Sequence, residues 1–261
     1  MILKIAMIRK ILTYLLVFAL TWGCAVLFYS YEDNTVEDID GEELVVPEKA
    51  LRERVLTSSE QAVLTPQQVL DSLKSGNERF VKNDLTLRNH TVMVRKAVLG
   101  QYPKAVVLSC LDSRVPVADI FDKGIGDLFI ARVAGNFANI DMLGSMEYGC
   151  KVSGAKLILV LGHHSCGAVK AAIDKFKLGN ITAMLQNIQP AIARSSSFTG
   201  EKNSKNTAYV DHVIEQNVLA VIENIKKKSP VLKEMADEGK IRIVGGIYDL
   251  KDGKVTFLDS H

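Results

Sequence analysis

Three short, uninterrupted apolar segments set the strongest limit on how this chain can fold: residues 105–109 (AVVLS), 128–133 (LFIARV) and 157–161 (LILVL). Each is too short for an ordinary helix, and none alternates polar with apolar side chains. A sheet with one wet face would show that alternation, so these are strands buried on both faces. Burying both faces requires helices on either side, and the sequence supplies them. Residues 145–152 and 168–176 carry helical spacing between and after the strands. Upstream, Thr65-Pro66-Gln67-Gln68 is a capping box with proline at the first helical position, ahead of Val69, Leu70 and Leu73. Thr207 opens a long helix with Val210, Val213, Ile214, Val221, Ile222 and Ile225 on its apolar side, stopped by Ser229-Pro230. Residues 241–248 and 255–258 read as two more strands, joined by the turn Lys251-Asp252-Gly253. The pattern predicts an α/β fold with a central, largely parallel β-sheet flanked by helices.

The N-terminal part obeys different rules. Lys4, Arg9 and Lys10 precede an uncharged apolar run, residues 11–29. At 1.5 Å per residue it spans about 28 Å, roughly the hydrocarbon core of a bilayer. Cations ahead of such a run hold the N-terminus in the cytoplasm and export the chain on its far side. Residues 1–31 are therefore expected to be a signal peptide or transmembrane anchor. The run is longer than a usual signal core and no A-x-A-like site succeeds it, which favours the anchor. Residues 32–62 hold ten acids against Lys49, Arg52 and Arg54 and lack strong periodicity, so they read as an acidic tether. Residues 63–261 then form one domain, placed on the periplasmic side of the cytoplasmic membrane or secreted after cleavage. The formal net charge is only +2 and the lysines of the domain are scattered, so nucleic acid is not an expected partner.

The chemistry-bearing residues sit at strand ends. Four cysteines are too few for a disulfide framework in 261 residues, and Cys24 belongs to the apolar run. Cys110-Leu111-Asp112-Ser113-Arg114 leaves one apolar strand, at the end where open α/β sheets place their ligands. In an extended chain residues 110, 112 and 114 would share one side. A structural ion pair explains Asp112 and Arg114 equally well on their own. Gly162-His163-His164-Ser165-Cys166-Gly167 leaves a second strand and opens a helix. Taken singly, His163 and Cys166 are ordinary core residues. Taken together, Cys110, His163 and Cys166 make a Cys2His set that leaves a fourth tetrahedral position open, as catalytic zinc requires. Asp112 as a fourth ligand would instead close the site.

The segments CLDSRVP, ARVAGN, GSMEYG and LGHHSCGAVK, in this order, resemble the β-class carbonic anhydrases, and the resemblance covers about residues 64–261. It implies Zn2+ bound by Cys110, His163 and Cys166, with His163 rather than His164 as the ligand, and reversible hydration of CO2 to bicarbonate. It makes Asp112 and Arg114 the catalytic pair beside the metal: Asp112 orients a zinc-bound hydroxide, and Arg114 holds Asp112 ionised and off the zinc. Asp112 would join the metal only in a closed form. Gln101, Phe129, Tyr148 and Gly167 match positions lining the CO2 pocket in the plant-like, open-site subgroup, and Ala134 stands where that subgroup often has valine. The family's members are homodimers or larger, with the site near the subunit interface. Three other readings stay open at this stage. They are a hydrolase of carbonyl sulfide or carbon disulfide on the same scaffold, a thiol redox protein using Cys166, and a closed structural zinc domain. Cys150 reads as a core residue; His90, His212 and His261 read as surface residues.

Overall fold

The computed structural model describes residues 51–258. The apolar run 11–29, the tether up to residue 50 and His261 lie outside the described residues. Among the described residues no helix is long and apolar enough to cross a membrane.

The three apolar segments are strands of one five-stranded sheet: β1 (Ala105–Ser109), β2 (Leu128–Arg132) and β3 (Leu157–His163), joined by β4 (Arg242–Tyr248) and β5 (Val255–Leu258). The order is β2-β1-β3-β4-β5. All neighbours are parallel except β4 and β5, which form the expected hairpin. Side chains alternate between two buried layers. Val106 and Leu108 join Ile158 and Val160 in the larger core, whereas Ala105 and Val107 join Leu157, Leu159 and Leu161 in the smaller. Each fully buried Val, Leu or Ile contributes about 1.5–3 kcal/mol, which is why no alternation appears in β1 and β3. Strand β2 departs from the expected two-face burial: it is the sheet edge, half-buried along its length with Ile130 and Arg132 exposed.

Helices cover both layers. The smaller core is closed by α2 (Pro66–Val81) and the short α4 (Val117–Ile120), with α1 (Ser58–Ala62) and α3 (His90–Ala97) nearby in the chain. The larger core packs α5 (Ile140–Glu147), α6 (Gly167–Ile173), α7 (Gly179–Leu185), α8 (Gln189–Arg194), α9 (Thr207–Lys228) and α10 (Pro230–Asp237). Thr65 caps α2 as its capping box predicts, and Pro66 and Pro230 each occupy a first helical turn. Helix α9 lies close to the sheet because Gly162 is small. A Cβ there would meet Val218 Cγ2 at 2.8 Å.

Two boundaries differ from the sequence reading. Residues 51–62 are not all tether. Arg52 exchanges backbone bonds with Leu87 and Asn89, and its guanidinium stands 3.4 Å from the buried Asp127. Thr57 and Glu60 close a capping box on α1, and buried Gln61 donates to Pro103 O and Ser153 O. The acid content that suggested a tether includes Glu60, which serves as a cap. The helix expected from residue 145 starts at Ile140, capped by Asn139. Its first turn leaves Ile140 and Asp141 exposed, so no apolar period marks it. Residues 148–152 continue it as one wider, π-type turn.

Candidate metal centre

The carboxyl ends of β1 and β3 lie side by side, since the two strands pair directly from Ala105↔Leu157 to Ser109↔Leu161. Cys110 is the next residue after β1 and His163 the last of β3, so parallel pairing alone brings them to one end of the sheet. A tight turn then returns Cys166 to them. His164 and Ser165 form it, Ser165 takes the left-handed φ of 56°, and Cys166 becomes the N-cap of α6. The donor atoms of Cys110, His163 and Cys166 all lie within 4.8 Å of one another, and all three residues are buried. Among the described residues this is the cluster able to hold a metal ion.

The geometry fits zinc. Two thiolates about 2.3 Å from a tetrahedral zinc sit roughly 3.8 Å apart; Cys110 Sγ and Cys166 Sγ are 4.0 Å apart. His163 Nδ1 is bonded to the His164 carbonyl at 2.9 Å, which makes Nδ1 the protonated nitrogen and leaves Nε2 the lone pair. That Nε2 is fully buried and has no hydrogen-bond partner, as expected of a ligand atom. The two sulfurs share one hydrogen bond. Cys110 is driven well below the ordinary thiol range, first by the hydrogen bond from Cys166, with His163 and the Gly135 N–H adding to it against the opposing effect of burial. Cys166 is pushed far up, first by its bond to Cys110 and then by burial. A divalent cation is what lets both be thiolates together.

Asp112 borders the cluster without joining it. Its Oδ2 is 3.8 Å from His163 Nε2. Arg114 grips the carboxylate with two parallel bonds, Nε to Oδ1 at 2.9 Å and Nη2 to Oδ2 at 2.8 Å, and its backbone N–H adds a third at 3.0 Å. That guanidinium holds the Asp112 carboxyl well below the usual carboxylate range. The segment is not extended as the sequence spacing suggested. Val115 N donates to Asp112 O at 3.1 Å, a turn that folds Arg114 back onto Asp112. Pairing therefore comes from the turn, not from strand alternation.

Other residues support the site without having been singled out. Arg132, at the end of β2, donates to the carbonyls of Cys110 and Asp112 and so fixes the loop that carries both. Gly135 N donates to Cys110 Sγ at 3.4 Å. Both belong to the ARVAGN segment, whose spacing after a strand was the available signal.

The expected pocket residues divide. Gly167 directly follows Cys166, and a Cβ there would meet open space. Phe129 and Tyr148 stand together, ring centroids 6.5 Å apart, against an open surface groove of about 840 Å3 that Val106, Ile130, Ile140 and Met142 also line. Phe129 pairs with Val106, four residues before Cys110, so it lies about 13 Å down the strand from the donors. Gln101 is exposed and precedes β1, at the same amino end. Within one chain these three do not reach the donor cluster. His164 Nδ1 stands 2.9 Å from Asp211 Oδ1, turned to α9 rather than to the cluster. Cys150 is buried in the larger core, its thiol pushed up to about 12 by burial. His90 is exposed, and His212 is half-buried against Phe198.

A buried, three-donor Cys2His cluster at the carboxyl end of a parallel sheet defines a metalloenzyme-type α/β protein. Residues 105–255 match the carbonic anhydrase family model. The chain is 34% identical over 194 residues to carbonic anhydrase 2 of Mycobacterium tuberculosis, covering 72% of this chain and 90% of that protein. It is 36% identical over 197 residues to the carbonic anhydrase of Mycolicibacterium smegmatis, covering 73% and 91%. Its fold matches a tetrameric β-carbonic anhydrase of the ascomycete Sordaria macrospora with a TM-score of 0.58, at 21% identity over 74% of this chain and 96% of that one. The chain belongs to the carbonic anhydrase family, with the β-class fold.

Proposed function

We propose that this protein catalyses the reversible hydration of CO2 to bicarbonate and a proton at a zinc held by Cys110, His163 and Cys166. The observation that carries this is the buried three-donor cluster beside a carboxylate already committed to Arg114. Bound there, zinc supplies a hydroxide near neutral pH by lowering the pKa of a water. The chain's own residues do the rest. Cys110 and Cys166 balance the ion's charge, and His163 is fixed in one tautomer by the His164 carbonyl. Asp112, kept ionised by Arg114 beside the cluster, would accept a hydrogen bond from a metal-activated water and orient it toward CO2. Arg114 restrains both carboxylate oxygens, which favours the open over the Asp112-closed site and supports the plant-like subgroup reading.

The pocket is completed by a second copy. Strand β2 is a sheet edge, and beside it Ile130, Ile140 and Tyr148 are 42%, 82% and 51% exposed. Large apolar side chains gathered along an open edge mark an interface between copies. A partner seated there would bring Gln101, Phe129 and Tyr148 to the other copy's metal, matching the pocket assigned to them. Export and membrane attachment through residues 11–29 remain part of this reading, supported by the order of cations, apolar run and acids in the sequence. Fusing a reporter after Asp40 tests it: activity outside the cytoplasmic membrane is expected, and a soluble cytoplasmic reporter contradicts it. A CO2 hydration assay run beside a carbonyl sulfide assay tests the substrate. Hydration is expected to dominate and to rise into the alkaline range.

A further inference from the structure

We propose that Asn217 is a positioning residue for the metal centre, acting through Gly135 on the sulfur of Cys110. Asn217 lies in the apolar stripe of α9, with Val210, Val213, Ile214, Val218 and Val221, and is 2% exposed. An amide buried in such a stripe is unfavourable unless it is hydrogen-bonded, so its one strong bond is informative. Its Nδ2 donates to the Gly135 carbonyl at 2.9 Å, wholly inside the protein. The N–H of the same Gly135 donates to Cys110 Sγ at 3.4 Å.

Gly135 needs an external hold. It and Asn136 take successive left-handed φ values of 83° and 41°, a pairing that L-residues avoid outside glycine. A Cβ at 135 would meet Ile188 Cδ1 at 2.6 Å, so the backbone is pressed into the core there. Asn217 fixes the carbonyl side of Gly135, and with it the direction of the N–H that meets the sulfur. An N–H bond to a thiolate draws charge from the sulfur and orients it toward the ion. Partners of this kind typically change metal affinity 10–100-fold. Two turns further along α9, Asn224 Nδ2 donates to Ala138 O at 3.2 Å. It holds the same loop without holding Gly135, which makes it the natural control.

The inference rests on Cys110 being a metal ligand, and cobalt reports on both points separately. Co2+-loaded wild type should show a thiolate-to-cobalt charge-transfer band; its absence overturns the ligand assignment and this inference with it. Asn217→Leu replaces the amide by an apolar side chain of similar size. It should keep the fold with a modest loss of thermal stability from the unpaired Gly135 carbonyl, yet shift that band to lower energy and weaken cobalt binding by about 10-fold in chelator competition. Asn224→Leu should leave both unchanged. An unshifted band and unchanged affinity in Asn217→Leu, or equal changes in both variants, overturn the proposal. Should Asn217→Leu fail to fold, Asn217→Ser is read by the same two measurements.

Discussion

At the carboxyl ends of β1 and β3, Cys110, His163 and Cys166 meet inside a single chain, buried and preorganised. Phe129 and Tyr148 line a surface groove that runs along β2 as far as Arg132, and Gln101 precedes β1 at its amino end, all outside the donor cluster. The contrast follows from parallel topology. Strands that pair in register deliver their last residues to one place, so a ligand set can be assembled from two loops without help. Residues at the opposite ends of the same strands are separated from it by the strand length. The donor cluster is therefore complete within one chain, whereas the residues proposed for the pocket lie away from it.

The largest effect expected lies at the carboxyl end. Cys166→Ser should lose most zinc, from about one ion per chain, and all measurable hydration, because three protein ligands are the minimum for such a site. Cys150→Ser should keep its zinc, since that buried thiol touches only the core. Equal zinc loss from both would mean the donor cluster has been misassigned.

Next comes the groove beside β2. Ile140→Glu places a charge on the exposed apolar groove and should separate the copies, read as a mass decrease by light scattering. Zinc content should stay near one per chain while hydration falls about 100-fold, the scale of losing substrate placement. A monomer with full activity would erase the distinction between the two regions.

Between the two stands the Asp112–Arg114 pair. Arg114→Ala should retain zinc and lower kcat/KM roughly 10–100-fold, as for other partners that orient groups around a metal. The pH profile sharpens the test. The guanidinium depresses the Asp112 pKa, so the ionised carboxylate persists as pH falls below the ordinary carboxylate range. Removing Arg114 lets that pKa rise toward its usual value, still below the range in which zinc-coordinated water ionises, so the loss should be of similar size across the active pH range with the acid limb unmoved. Full activity across that range would remove Arg114 from the mechanism.

Sequence and structure agree best where one local signal was backed by topology. Strands β1 and β3 were legible because burial on both faces erases alternation, and the ligands because a chemical motif follows each of them; β2 has the same apolar run but is a half-buried edge. Other features needed the third dimension. Arg114 reaches Asp112 through a turn that spacing could not reveal. Asn217 sits among apolar residues and reads as a lapse in a helix stripe until Gly135 is seen beneath it. Residues 51–62 were hidden by the acid-rich segment that precedes them, although Thr57 and Glu60 spell a capping box. The separation of Gln101 and Phe129 from the donors follows from strand direction, visible only once the register is known.

Catalysis by this protein rests on one zinc, held by Cys110, His163 and Cys166, acting as a CO2 hydratase centre. Stopped-flow hydration on the purified full-length protein decides it, run before and after metal removal with a chelator and again after adding zinc. About one zinc per chain is expected, with hydration lost on removal, restored by zinc, and climbing in rate as pH rises. Protein that holds its zinc and hydrates no CO2 at any pH up to about 9, where zinc-coordinated water ionises even without help from a protein, would refute the hydratase reading and leave a structural metal site in its place.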